Sequence, residues 1–210
     1  MTKSLFVSSG YRATLRKIAA SFLMLSINLT GGVGALFLST EVAYAATTTL
    51  YPVSNGTHTS WANAVTTVDE TSSFSCSSSD YISASSNNAK ESFNLDLSSI
   101  PNGSIITNIE VDTYSRDESS GDTGQYKPFI IFNGSEDSVT GSPISPTSNS
   151  GCNGPNAQQF NVVDIAKGAG TTLEIGVIKS NGSDTVRVGA IHAIITYTPT
   201  FALTVSTVGT

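Results

Sequence analysis

Residues 90–116 read KESFNLDLSSIPNGSIITNIEVDTYSR, and this stretch decides the fold. Phe93, Leu95 and Leu97 alternate with polar residues, and Ile105, Thr107, Ile109 and Val111 repeat the pattern beyond a connection built of Ser, Ile, Pro, Asn and Gly. Alternation at period two marks strands that bury one face and wet the other. Two half-buried strands joined by a turn-rich link therefore sit at the centre of the chain.

Working outward, the same pattern recurs in short runs. It predicts strands over residues 48–53, 80–85, 91–97, 105–115, 126–132, 158–163, 172–178 and 185–198. The best helical candidate is residues 163–168, a turn or two ending at Gly168. Asn-Gly pairs at Asn55, Asn102, Asn133, Asn153 and Asn181 suit the positive φ angles of tight turns. Residues 179–184 are read as the turn of an antiparallel hairpin between the last two long strands. Short strands at this spacing predict an all-β fold, an antiparallel two-sheet sandwich of jelly-roll type. Tyr51, Phe93, Ile109, Val111, Phe129, Ile131, Phe160, Ile175, Val177, Val188, Ile191, Ile194 and Tyr197 are its expected core.

The first 45 residues read differently. Lys3, Arg12, Arg16 and Lys17 precede an apolar stretch over residues 18–38, and Ala43-Tyr44-Ala45 follows as a small-x-small cleavage site. That order is a signal peptide over residues 1–45, with a mature chain from Ala46. The apolar stretch approaches the roughly 20 residues of a membrane span, but polar residues and glycines dilute it. The protein is expected to be secreted or at the cell surface, with no membrane attachment once the leader is removed. Residues 46–198 would form the sandwich. Residues 199–210 would be a linker and the opening strand of a following β module, so neighbouring β domains of a longer chain are expected partners.

The whole chain has ten basic and sixteen acidic residues; without the leader's four basic residues and Glu41, six face fifteen. A surface so acidic repels phosphate backbones and anionic lipid heads, which excludes nucleic acid as a partner. Cys76 and Cys152, the two cysteines, lie in polar segments and are expected to pair in an oxidising compartment. Such a bridge would close a loop of about 77 residues, contributing roughly 4 kcal/mol by chain entropy.

Catalytic patterns are missing. There is no nucleophile elbow, zinc helix or phosphate-cradling glycine loop. His58 falls in a polar segment expected to be an exposed loop, and His192 on the strand face opposite Ile191. Glu110 and Asp112 share a strand face expected to meet solvent. No cofactor is expected other than calcium, for which Asp117, Glu118 and Asp122 form an acidic turn, with Glu136 and Asp137 as further oxygen donors. Trp61, the one tryptophan, together with Tyr114 and Tyr126, are the candidate stacking groups for a sugar ring. The sequons at Asn55, Asn102, Asn133 and Asn181 coincide with turns and are read as turn chemistry.

Residues 94–107, Asn94-Leu95-Asp96-Leu97-Ser98-Ser99-Ile100-Pro101-Asn102-Gly103-Ser104-Ile105-Ile106-Thr107, resemble the F-D-L-S-S-I-P-x-G-x-x-I-T stretch of DNRLRE-type jelly-roll domains. The chain also looks like a related jelly-roll module of phage structural and bacterial surface proteins. Val68-Asp69-Glu70, residues 80–83, 173–177 and 187–199 extend the likeness, which spans roughly residues 50–199. Around residues 141–157 this chain departs from the pattern and lacks a Trp-containing segment. The resemblance implies a fold without a set of catalytic residues. The expectation is therefore an exported, non-enzymatic module with a structural or adhesive role, meeting an extracellular polysaccharide or a surface protein. A carbohydrate-binding module and a fragment of a secreted glycoside hydrolase or lyase are the alternatives.

Overall fold

The structure, a computed structural model, describes residues 44–63, 80–117, 123–146, 152–162 and 165–200. Within them run eleven strands: β1 (Ala46–Leu50), β2 (Pro52–Thr59), β3 (Ile82–Ala84), β4 (Lys90–Leu95), β5 (Ile105–Asp117), β6 (Gln125–Phe132), β7 (Ser135–Asp137), β8 (Asn153–Phe160), β9 (Ile165–Ala166), β10 (Leu173–Asn181) and β11 (Val186–Thr198). The unit Ala45–Pro199 is compact. It is an antiparallel two-sheet sandwich of jelly-roll type.

One sheet has the order β1-β11-β5-β8, with β3 on β11 and β9 continuing the lane of β8 along β5; the other has the order β2-β4-β10-β6-β7. Consecutive strands mostly fall in opposite sheets, because most connections carry the chain across the core; β6–β7 and β8–β9 stay within one sheet. At Tyr51 the chain leaves the first sheet, and Pro52 opens the second. The predicted strand over residues 48–53 is thus two strands in two sheets.

The 90–116 stretch behaves as its alternation demands. β4 lies in the five-stranded sheet and β5 in the six-stranded one. Between them Leu97 and Ile100 are buried, while Asp96 accepts hydrogen bonds from Ser98 N at 2.8 Å and Ser98 Oγ at 2.9 Å. Gly103 N donates to Lys167 O at 2.7 Å and Lys167 N to Ser104 O at 2.8 Å. The link is a plug, closing one end of the sandwich and tied to the segment after β9.

Inward faces meet in one apolar cluster containing Phe93, Ile109, Val111, Tyr126, Phe160, Ile175, Val177, Val188, Ile191 and Ile195. Each large side chain so buried contributes roughly 1.5–3 kcal/mol. Phe129 and Ile131 are buried as well, but lie outside that cluster, because Ile130 and Phe132 take the inward positions of β6. Tyr51, Ile194 and Tyr197 are only half-buried, at the rim rather than in the core.

Three local expectations are corrected. Residues 179–184 do not form a hairpin: β10 and β11 belong to opposite sheets, and the turn, with Gly182 at φ 82°, carries the chain between them. A turn signal shows that the chain reverses, and is blind to which sheet receives it. Ile165 and Ala166, placed in a helical turn by sequence, pair instead with Ile106 and Ile105; Val163 and Asp164 lie outside the described residues. His58 is not in a free loop. It belongs to β2, where the register against β4 slips between Asn55 and Thr59.

Candidate functional site

The outward face of the five-stranded sheet is covered by its own chain. At the slip in β2, Thr57 donates to Glu174 through N at 2.8 Å and through Oγ1 at 2.6 Å, and His58 N donates to Ser92 Oγ at 3.0 Å. The His58 ring stands edge-on to Phe129 with centroids 5.9 Å apart, and Lys90 Nζ lies 5.8 Å from the same ring. Glu136 joins the two, with His58 Nε2 at 3.0 Å and Lys90 Nζ at 2.5 Å. Gly176 makes room beneath: a Cβ there would come within 2.6 Å of Phe129 Cζ. Burial raises the Glu136 carboxyl, but hydrogen bonds from Lys90, Ser138 and His58 outweigh it and hold the group at about 2.

The outward face of the six-stranded sheet is different. Alternation along β5 places Glu110, Asp112, Tyr114 and Arg116 outward, opposite the buried Ile109, Val111, Thr113 and Ser115. In register on β11 these meet Ile194, His192, Ala190 and Arg187. His192 Nε2 lies 3.4 Å from Asp112 Oδ2. The imidazole is flanked by Tyr51, at 5.5 Å between centroids and 41°, and by Tyr114, at 6.2 Å and 28°. Gln159 Nε2 donates to Glu110 Oε2. Further along, Arg187 stands 4.6 Å and Arg116 5.8 Å from the centre of the Tyr81 ring.

Burial sets the protonation of this face. It pushes the Asp112 carboxyl up, with His192 opposing, and it pushes the His192 imidazole down, with Asp112 opposing. Burial thus drives both partners toward their neutral forms. Glu110 is raised by burial and by the charge of Asp112, and Tyr114 by burial, Asp112 and Tyr51. Asp112 is 5 % exposed, which corrects its expected solvent position. Glu110 and Asp112 are neighbours on one strand, one bonded to Gln159 and the other to His192, so they do not face each other across a cleft as a glycosidase pair would. What the face offers is ring surface, carboxylate and amide acceptors, and guanidinium donors.

Of the expected stacking groups, Tyr114 alone is on this face. Trp61 is 5 % exposed, its Nε1 donating to Ala89 O at 3.0 Å and its N to Glu91 Oε2 at 2.9 Å. Tyr126 is fully buried on β6, and its hydroxyl meets Thr113 Oγ1 at 2.8 Å and Ser115 Oγ at 3.0 Å on the other sheet. Burial pushes that phenol to about 12, against the pull of its hydrogen bonds. Neither ring can meet a ligand. Tyr81 and Arg187 were not read as site residues from the sequence, Tyr51 was expected in the core, and His192 was placed on the outward face of its strand with its pairing to Asp112 unread. The period-two row His192, Ile194, Thr196 was the available signal, but which row of β5 it faces depends on the register.

Asp117 is buried at the end of β5, while Glu118 and Asp122 lie outside the described residues. Glu136 is taken by His58 and Lys90, and Asp137 by Val139 and Thr140. Among the described residues no group of three or more His, Cys, Asp or Glu could hold a metal ion. Cys152, half-buried before β8, is not a free thiol, and Cys76 lies outside the described residues. Among the described residues no helix is long and apolar enough to cross a membrane.

No protein-family model and no curated protein matches the chain. Solved structures that align with it include the CBM36-1 domain of a multidomain xylanase from the hindgut metagenome of Trinervitermes trinervoides. Identity is 10%, the TM-score 0.36, and 71% of this chain and 96% of that chain are covered. A family 35 carbohydrate binding module from an environmental isolate aligns at 16% identity and TM-score 0.31, covering 80% of this chain and 98% of that one. Dimeric latent PorU from Porphyromonas gingivalis aligns at 14% and 0.38, over 79% of this chain and 14% of that one. At these identities and TM-scores the likeness assigns neither ligand nor residue roles, and the sandwich stands on its own two sheets.

Proposed function

We propose that this chain is a non-catalytic adhesive module of an exported bacterial surface protein, and that it binds carbohydrate on the outward face of its six-stranded sheet. The observation that carries the reading is the row Tyr51, His192, Asp112, with Tyr114 and Glu110 on either side. Partly exposed rings suit the apolar faces of pyranoses, and acceptors beside them suit paired hydroxyls. The opposite outward face supports the choice, since His58 and Glu136 already cover it.

The remaining parts of the reading follow from the sequence. Residues 1–45 direct export, Cys76 and Cys152 pair in the oxidising exterior, and residues 199–210 lead into a further β module. Membership of the DNRLRE-type group belongs to this reading, as does calcium at Asp117, Glu118 and Asp122.

A pull-down of the mature chain on a panel of insoluble polysaccharides tests it. Wild-type protein is expected to bind, Tyr114→Ala and Tyr51→Ala to lose binding at least about tenfold, or ~1.4 kcal/mol, and Trp61→Phe to retain it. Retention by both tyrosine variants, or no binding to any polysaccharide, would sink the proposal.

A further inference from the structure

The link from β4 to β5 and the segment from β9 to β10 meet at one end of the sandwich, and a cleft of about 490 Å³ opens between them. Its lining is of two kinds. Leu95 and Leu97 are buried and apolar, whereas Asp96, Asn102, Lys167 and Thr171 are polar. Backbone bonds fix its walls: Gly103 N donates to Lys167 O at 2.7 Å, Lys167 N to Ser104 O at 2.8 Å, and Gly168 N to Thr171 Oγ1 at 2.8 Å. Lys167 is 9 % exposed, and its Nζ donates to Asn102 Oδ1 at 2.8 Å within the cleft lining. Asp96 accepts from Ser98 N and Oγ, and those bonds hold its carboxyl below the ordinary value, with the Lys167 charge adding to the effect. The cleft therefore keeps a cation and an anion within each other's field, each held by a different neighbour. An ammonium carries several donors and a carboxylate several acceptor positions, so both retain capacity for a ligand.

We infer that this cleft binds a small zwitterion, an amino acid or short peptide whose carboxylate meets Lys167 and whose amine meets Asp96. It shares no residue with the sheet face of the carbohydrate reading and stands independently of it. Its volume lies in the range of small-molecule clefts, roughly 300–1,000 Å³. Charge-assisted hydrogen bonds at both ends of the ligand are the strong kind, and walls already fixed lower the ordering cost of binding. Charge decides the class. The acidic surface repels an anion at long range and Lys167 opposes a cation locally, whereas a ligand without net charge meets neither barrier. None of the described residues lining the cleft is aromatic, so a sugar ring has no stacking partner there.

The test begins with thermal melts of the mature chain with each free α-amino acid, with alanylalanine and with maltose. At least one of the zwitterions is expected to raise Tm, and maltose to leave it unchanged. Calorimetry with that zwitterion then compares its free form with its N-acetyl and C-terminal amide forms. Blocking either end should weaken binding at least about tenfold, as should Asp96→Asn and Lys167→Gln. The comparison of free and blocked forms uses the wild-type chain, so it decides the matter even where Lys167→Gln fails to fold. Tyr114→Ala, on the sheet face, should leave affinity unchanged. No rise in Tm with any zwitterion, or equal affinity for free and blocked forms, would overturn the inference and leave the carbohydrate reading untouched. A rise with maltose that Lys167→Gln abolishes would overturn it in favour of a polyol. Equal losses in Tyr114→Ala and Lys167→Gln would overturn it by placing the ligand elsewhere.

Discussion

His58 and Glu136 lie on strands at opposite edges of the five-stranded sheet, yet His58 Nε2 and Glu136 Oε2 are 3.0 Å apart. The meeting requires the slip in β2, where the four-residue step from Asn55 to Thr59 lies against the two-residue step from Phe93 to Glu91 of β4. The extra length arches over the sheet, seals Phe129 and ties the two edges through Glu136 and Lys90. A bulge of this kind bends the strand and re-aims side chains. The face beneath is closed by side chains brought together from opposite edges of the sheet.

Acid should loosen this tie. The Glu136 carboxyl is held at about 2 in the fold against an ordinary 4.5. A carboxylate depressed by folding contributes stability that is fully present above its unfolded value and is lost as pH falls through the folded one. The contribution should therefore fade between pH 4.5 and about 2. Solvent screening keeps it modest. Urea titrations at pH 7 and pH 3 should show wild type losing more stability than Glu136→Gln. Equal losses in the two proteins would mean that the tie does not stabilise the fold.

Lys179 is the sharper structural dependency. It is fully buried, and its Nζ donates to Asn87 Oδ1 at 2.9 Å, Asn181 O at 2.9 Å and Gly182 O at 2.7 Å. These bonds fix the turn that carries the chain from β10 into the opposite sheet. Lys179→Met keeps the volume but removes a charged donor shared by Asn87 and the backbone carbonyls of Asn181 and Gly182, and hydrogen bonds to a charged group contribute roughly 1.5–3 kcal/mol. Urea denaturation should show a loss of about 2–4 kcal/mol. A loss below about 0.5 kcal/mol would show that water replaces the ammonium.

How far the sequence could be read follows the range of the forces involved. Alternation is local, so Phe93, Ile109, Val111 and Ile191 were placed inward by counting alone, and the sandwich with them. Sheet membership is not local: nothing in residues 179–184 tells a hairpin from a crossover. Trp61 and Tyr126 were read as candidate stacking groups, and the structure buries both: their polar atoms find Ala89 O, Thr113 and Ser115 from distant segments, which no local pattern reveals. Asp112 and His192 were each on the outward row of their strand by period. Their pairing depended on the register of β5 against β11, which includes two shifts that no single-strand pattern reveals.

Glu91 reports on the other side of the electrostatic balance. It shares the inward row of β4 with Phe93 and Leu95 and is 1 % exposed, its Oε2 accepting from Trp61 N at 2.9 Å. Burial raises its carboxyl above the ordinary 4.5, and neither the Trp61 N–H nor the charge of His58 fully reverses this. A carboxyl whose value is raised by folding carries no penalty while protonated in both states. The penalty appears as pH rises above 4.5 and becomes constant once the folded group has ionised. Glu91→Gln keeps an acceptor for Trp61 and removes the charge. Its Tm should match wild type near pH 4 and exceed it at pH 7 and above, opposite in trend to Glu136→Gln. Thermal melts across that range decide the matter: a variant less stable than wild type at pH 7 would show that the ionised carboxylate is held by stronger bonds than the single one to Trp61.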